Sequence, residues 1–245
     1  MNTSPLLAYH SDPKLKRAML REVRKHQNAD QIVAGTYGKR NGKWVGCAVG
    51  CSIHSLALIQ GRTLDTSNHM LFESEAGVPV MLARLQDVLF EGMPQSERTK
   101  FPLRFWTAIK PGADLSTVGW KFLHWLLTRS GIGAYNDPIV SDAVAQCAAA
   151  LEPLMRGEPV NASAARSAES AAWSAAWSAA RSAESAARSA AWSAESAASA
   201  AWSAESAESA ESAAWSAASA ESAASAASAA YKTMADQLIA LMEAA

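Results

Sequence analysis

From Asp12 onward, apolar residues return every three or four positions through most of the first 156 residues, the period of an amphipathic helix. In SDPKLKRAMLREVRKHQ, Asp12 is placed to cap a helix with Pro13 at its first position, where a missing N–H costs nothing. Leu15, Met19, Leu20 and Val23 make its apolar stripe, and Lys16, Arg17, Arg21, Arg24 and Lys25 its other face. PVMLARLQDVLFEGM repeats the pattern through Met81, Leu82, Leu85, Val88 and Leu89. FPLRFWTAI predicts a short helix before the Lys110-Pro111-Gly112 break. DLSTVGWKFLHWLLTR predicts the next, capped by Ser116 and stopped by Gly131, and Asp137-Pro138 opens one that runs to about Arg156. TYGKRNGKWVG reads as a short β-hairpin turning at Arg40-Asn41-Gly42. CAVGCSIHSLALIQ fits either a helix or a strand that leads into one.

After residue 156 the pattern changes character. All 13 Gly and all 9 Pro precede Asn161; beyond it the chain is mostly Ala and Ser, with Trp, Arg and Glu at intervals. From Ser163 to Ser206 serine recurs every three or four residues, about 3.6 on average, so it stays on one side of an α-helix. Trp173, Trp177, Trp192 and Trp202 fall on an adjacent face with Arg166, Arg181 and Arg188. Most of the remaining surface is alanine, the best helix former. Beyond Ser206 the spacing is mostly three, so the stripe drifts and a bend or fold-back is expected there. The closing YKTMADQLIALMEAA restores an apolar stripe through Tyr231, Met234, Leu238, Leu241 and Met242, the pattern of an anchor onto an apolar surface.

The expected architecture is therefore mainly α. A helical domain over 1–156, with one small hairpin, precedes a long Ala/Ser-rich helical element over 157–245. A lone rod over Asn161–Ala245 would extend about 130 Å at 1.5 Å per residue and leave its Trp rings in water. Packing on itself, on the head or on another subunit is expected instead, with Trp173, Trp177, Trp192, Trp202, Leu238 and Leu241 as interaction residues.

Charge adds a second division. Residues 161–245 hold four basic and nine acidic side chains, net −5, which leaves +4 for the rest of a chain whose total is −1. The basic excess lies mainly in PKLKRAMLREVRK and GKRNGK and reads as a solvated face, able to meet an acidic partner, rather than as a nucleic-acid reader. No segment has the uncharged length of a membrane span, and the N-terminus lacks the apolar run of an export signal. Three cysteines, an odd number, suit a reducing cytoplasm.

Candidate chemistry gathers at Cys47, Cys51 and His54. On a helix, positions i, i+4 and i+7 lie within about 60° of one another, so two thiols and an imidazole could hold zinc. His69, His124, Cys147 or a carboxylate would complete the four ligands. Alternatively Cys47, at a helix N-terminus, is a nucleophile with His54, His69 or His124 as base. A third reading is structural, since cysteine packs well beside Val49, Ile53 and Leu56. Glu73 and Glu75 are poorly placed to act together, and Gly131-Ile132-Gly133 has too few glycines for a phosphate loop.

AYHSDPKLK, WVGCAVGCSIHS and FEGMP, followed by the Ala-rich tail, resemble a group of uncharacterised phage- and prophage-associated bacterial proteins. The tail alone is similar to Ala/Trp/Arg tracts of bacterial immunity proteins. The resemblance implies a small accessory protein that acts in a bacterial cell on a host or competing component, and it supplies no catalytic residues. The expected function is thus non-enzymatic protein binding or self-association. The alternative is a metal-binding or cysteine-dependent enzyme centred on Cys47, Cys51 and His54.

Overall fold

The computed structural model describes residues 6–38, 44–128, 138–158 and 229–245. Among them the fold is helical: α1 (Pro13–Asn28), α2 (Ala48–Gln60), α3 (Leu71–Ala76), α4 (Val80–Gly92), α5 (Gln95–Arg98), α6 (Phe101–Ala108), α7 (Val118–Thr128), α8 (Pro138–Met155) and α9 (229–243). Composition divides the chain near 156, but packing groups Met1–His124, Leu151–Val160 and Lys232–Ala245 into one compact unit. Trp125–Ala150 and Asn161–Tyr231 form a second unit, described here only in parts of its helices. The Ala/Ser tract with Trp173, Trp177, Trp192 and Trp202 lies outside the described residues.

Helix α2 is the axis of the first unit. It is buried from Ala48 through Ile53 and again from Ser55 to Ala57, and it packs against α1, α3, α4 and α6. Its two serines are tolerated there because each hydroxyl bonds back one turn, Ser52 to the Ala48 carbonyl at 2.7 Å and Ser55 to that of Cys51 at 2.8 Å. Ser52 Oγ also accepts the Trp106 indole N–H at 2.8 Å. Trp106 is fully buried, with the rings of Tyr9, Phe72 and Phe105 around it at centroid distances of 5.1–5.9 Å. The Tyr9 hydroxyl donates to the Trp106 carbonyl at 2.7 Å, although Tyr9, His10 and Ser11 all take positive φ. A left-handed turn of non-glycine residues is strained, and the buried ring is what holds it.

Helix α1 starts as its sequence predicts, with Asp12 accepting the Lys14 N–H at 2.7 Å and Pro13 at the first position. Arg17, Arg21, Arg24 and Lys25 are exposed. Lys16 departs from the solvated face. Its ammonium donates to the carbonyls of Thr107 and Ile109, at 2.8 and 2.6 Å, and so closes the C-terminal end of α6. Burial, then the nearby Lys110, lowers its pKa. Arg98 does the same for α4 through the carbonyls of Phe90, Glu91 and Met93.

The C-terminal stripe anchors within the head's own unit. Met234, Ala235, Leu238, Ile239 and Met242 are buried, while Leu241 is half-buried. Asp236 pairs with Arg104 at 2.6 Å, and Lys110 caps the helix end on the Glu243 carbonyl at 2.6 Å. Leu238 therefore spends its apolar surface inside its own chain.

The hairpin does not form among the described residues, which contain no strand. Its turn, Arg40-Asn41-Gly42, lies outside them; its flanks make one isolated parallel bridge, Ile32 with Gly46. Val33 N–H donates to Gly46 O and Gly46 N–H to Gln31 O, both at 2.9 Å. Gly46 thus runs alongside 31–33 in the parallel sense, and residues 31–33 precede the 36–46 stretch of the expected hairpin. No described helix is long and apolar enough to cross a membrane.

Candidate functional site

Cys47, Cys51 and His54 do not converge. Cys47 precedes α2 as its N-cap, with extended backbone (φ −66°, ψ −178°), so the helical 100° step does not apply to it. Its Sγ accepts the Gly50 N–H at 3.4 Å and faces Asp87 Oδ1 at 3.6 Å. Cys51 points elsewhere, to the carbonyls of Gly46 at 3.3 Å and Gln31 at 3.7 Å, and so fastens the 31–46 bridge onto α2. Burial pushes its thiol up to about 12, where it stays protonated and donates. His54 stacks on Trp44 with ring centroids 3.8 Å apart and bonds His26. The three residues serve three different neighbourhoods.

A different set meets around Cys47. Asp87 and Glu91 stand one turn apart on α4, and their carboxylate oxygens and Cys47 Sγ all lie within 4.8 Å of one another. Tyr37 donates its hydroxyl to Asp87 Oδ2 at 2.7 Å, and His69 Nε2 lies 3.1 Å from the same oxygen. Glu91 accepts the Gly35 N–H at 3.1 and 3.2 Å. Cys47 is buried, Asp87 half-buried and Glu91 exposed, so the group opens from the core toward solvent. Gly50 is what lets the Tyr37 loop close down on it. A methyl there would stand 2.8 Å from the Tyr37 carbonyl carbon and 2.9 Å from its Cα.

The electrostatics decide what the cysteine can do. Burial pushes the Cys47 thiol up to about 12 against the opposing Gly50 N–H, and the Asp87 carboxylate adds to the rise. Burial also acts to raise Asp87, but the hydrogen bonds from His69 and Tyr37 outweigh it and hold that carboxyl below its ordinary range. Tyr37 is raised by burial first and then by its bond to Asp87. At neutral pH the apo group is thus a neutral thiol beside an ionised carboxylate, the reverse of a cysteine activated as a nucleophile.

The imidazole is informative too. His69 Nδ1 lies 3.1 Å from the Ser67 carbonyl, which can only accept. Its Nε2 lies 3.1 Å from Asp87 Oδ2, so the ring bridges the 67–69 turn and α4.

Of the residues singled out from sequence, the group takes up Cys47, with His69 bonded to its Asp87, and it leaves Cys51 and His54 outside. Asp87, Glu91 and Tyr37 were not anticipated. Two carboxylates four residues apart on a mostly apolar helix were the available signal. Comparison with protein-family models, curated proteins and solved structures finds no match. The site's own geometry carries the functional reading.

Proposed function

We propose that this chain is a metal-binding protein whose centre is Cys47, Asp87 and Glu91, with His69 beside Asp87, for a zinc-like divalent ion. The supporting observation is the spacing of the donors. Two ligands of one tetrahedral ion, with bonds of about 2.0–2.3 Å, stand about 3.3–3.6 Å apart. Cys47 Sγ and Asp87 Oδ1 are 3.6 Å apart, and both residues lie within 4.8 Å of a Glu91 carboxylate oxygen. A thiolate and two carboxylates are donor types zinc takes, and a bound cation would itself remove the thiol proton. This reading keeps the metal alternative drawn from the sequence but moves it to other residues.

Metal analysis of the purified chain, followed by cobalt(II) titration, tests it. One equivalent of zinc is expected, together with a near-ultraviolet thiolate-to-cobalt band that Cys47→Ser abolishes. Asp87→Asn should lower the affinity by at least tenfold, whereas Cys51→Ser and His54→Ala should keep the metal. A cobalt complex without a thiolate band, zinc retained in Cys47→Ser, or no binding at micromolar metal would overturn the assignment.

A further inference from the structure

A chain of hydrogen bonds fixes the protons of two histidines behind a second cleft. His26 Nδ1 lies 2.6 Å from Gln31 Oε1, an acceptor, so His26 carries its proton on Nδ1. Its Nε2 must then accept, and the partner at 3.2 Å is His54 Nδ1, which carries the proton of that ring. His54 Nε2 is left with a lone pair and has no protein partner among the described residues. The geometry is that of neutral rings, and burial lowers the pKa of both, with His54 brought to about 4.

His54 lines a cleft of about 560 Å³, large enough for a small organic ligand. Trp44, Leu58 and Leu64 give it apolar walls, and Thr63 and Thr66 bring hydroxyl groups. Leu58 is 52% exposed although it is a large aliphatic residue on the central helix. Trp44 stacks on His54, and at Gly38 any side chain would collide with the indole ring. An apolar, rigid-walled cleft that presents one oriented acceptor selects a ligand with a flat apolar body and one donor.

We infer that this cleft binds an uncharged fused-ring heteroaromatic molecule through an N–H donated to His54 Nε2. The inference stands apart from the metal centre, whose residues it does not use. Among the described lining residues the one cation, Arg62, is already paired with Glu75 and Gln60, which favours an uncharged ligand.

Indole and 1-methylindole, which differ only by the donor, are the probes. Titrations followed by nitrogen-15 shifts of the histidine side chains and by calorimetry read the binding. Indole is expected to move the His54 Nε2 resonance and to bind at least tenfold more tightly than 1-methylindole. Leu58→Arg, a change at an exposed position that leaves the core intact, should abolish binding, and His54→Ala should erase the difference between the probes while metal binding persists. Equal affinities for the two probes, an unmoved His54 resonance, or full binding by Leu58→Arg would overturn the inference.

Discussion

Gly50→Ala isolates the contact that closes the Tyr37 loop over Cys47. The new methyl would sit 2.8 and 2.9 Å from Tyr37 backbone carbons, where carbon pairs settle at about 3.5–4.0 Å. The loop must therefore retreat by about 0.7 Å or more. Backbone cannot swing aside as a flexible side chain does, so the overpacking cost falls toward the upper end of about 1–3 kcal/mol. Replacing glycine by alanine inside a helix returns about 1 kcal/mol. A net loss of about 2 kcal/mol is expected, which at a urea dependence of about 1–3 kcal/mol per molar moves the unfolding midpoint down by about 1 M. The same retreat lengthens the 2.7 Å bond from Tyr37 to Asp87, and metal affinity should fall by about tenfold, as for loss of other outer-shell partners. Urea melts and zinc titration of the same preparation make the measurement. A variant as stable as the parent, with unchanged zinc affinity, would refute the reasoning.

Other expectations follow from single features. Gln86 is fully buried and neither its oxygen nor its nitrogen has a partner among the described residues, so Gln86→Met should be neutral or stabilise by about 1 kcal/mol in a thermal melt; a loss of 2 kcal/mol would disprove it. Leu238→Ala should cost about 2–5 kcal/mol by chemical denaturation, because this α9 side chain is fully buried. His54 is held at about 4 in the folded chain against 6.5 unfolded, so between those values the unfolded state binds more protons and stability falls as pH drops. Discounted for the ring's partial exposure, the loss from pH 7 to pH 4 is about 1–2 kcal/mol. It should be absent from the stability profile of His54→Phe, and a variant profile parallel to the parent's would contradict the assignment.

Helical periodicity made α1, α4, α6 and α7 legible, because each has one apolar face and punctuation by Pro, Asp or Gly. It was least useful for α2, which is apolar nearly all round and so reads equally as strand or helix. The hairpin's turn, Arg40-Asn41-Gly42, lies outside the described residues, and its described flanks contain no strand. The candidate site was half legible. Cys47 stood out by its chemistry, yet its company was inferred from helical geometry that an N-cap does not obey. Asp87 and His69 come to it from segments 40 and 22 residues away, through packing that no local pattern encodes.

The docking of α9 has an evolutionary consequence. Leu151–Val160 and Lys232–Ala245 belong to one packed unit, so Asn161–Tyr231 falls in sequence between two segments of that unit. A short Ser-Ala repeat is easily lengthened or shortened in its gene. A frameshift within the repeat, by contrast, would replace Leu238, Ile239 and Met242 and uncover the surface they occupy. Reading frame through the repeat is therefore constrained by packing, since Leu238, Ile239 and Met242 downstream of it are buried in the first unit.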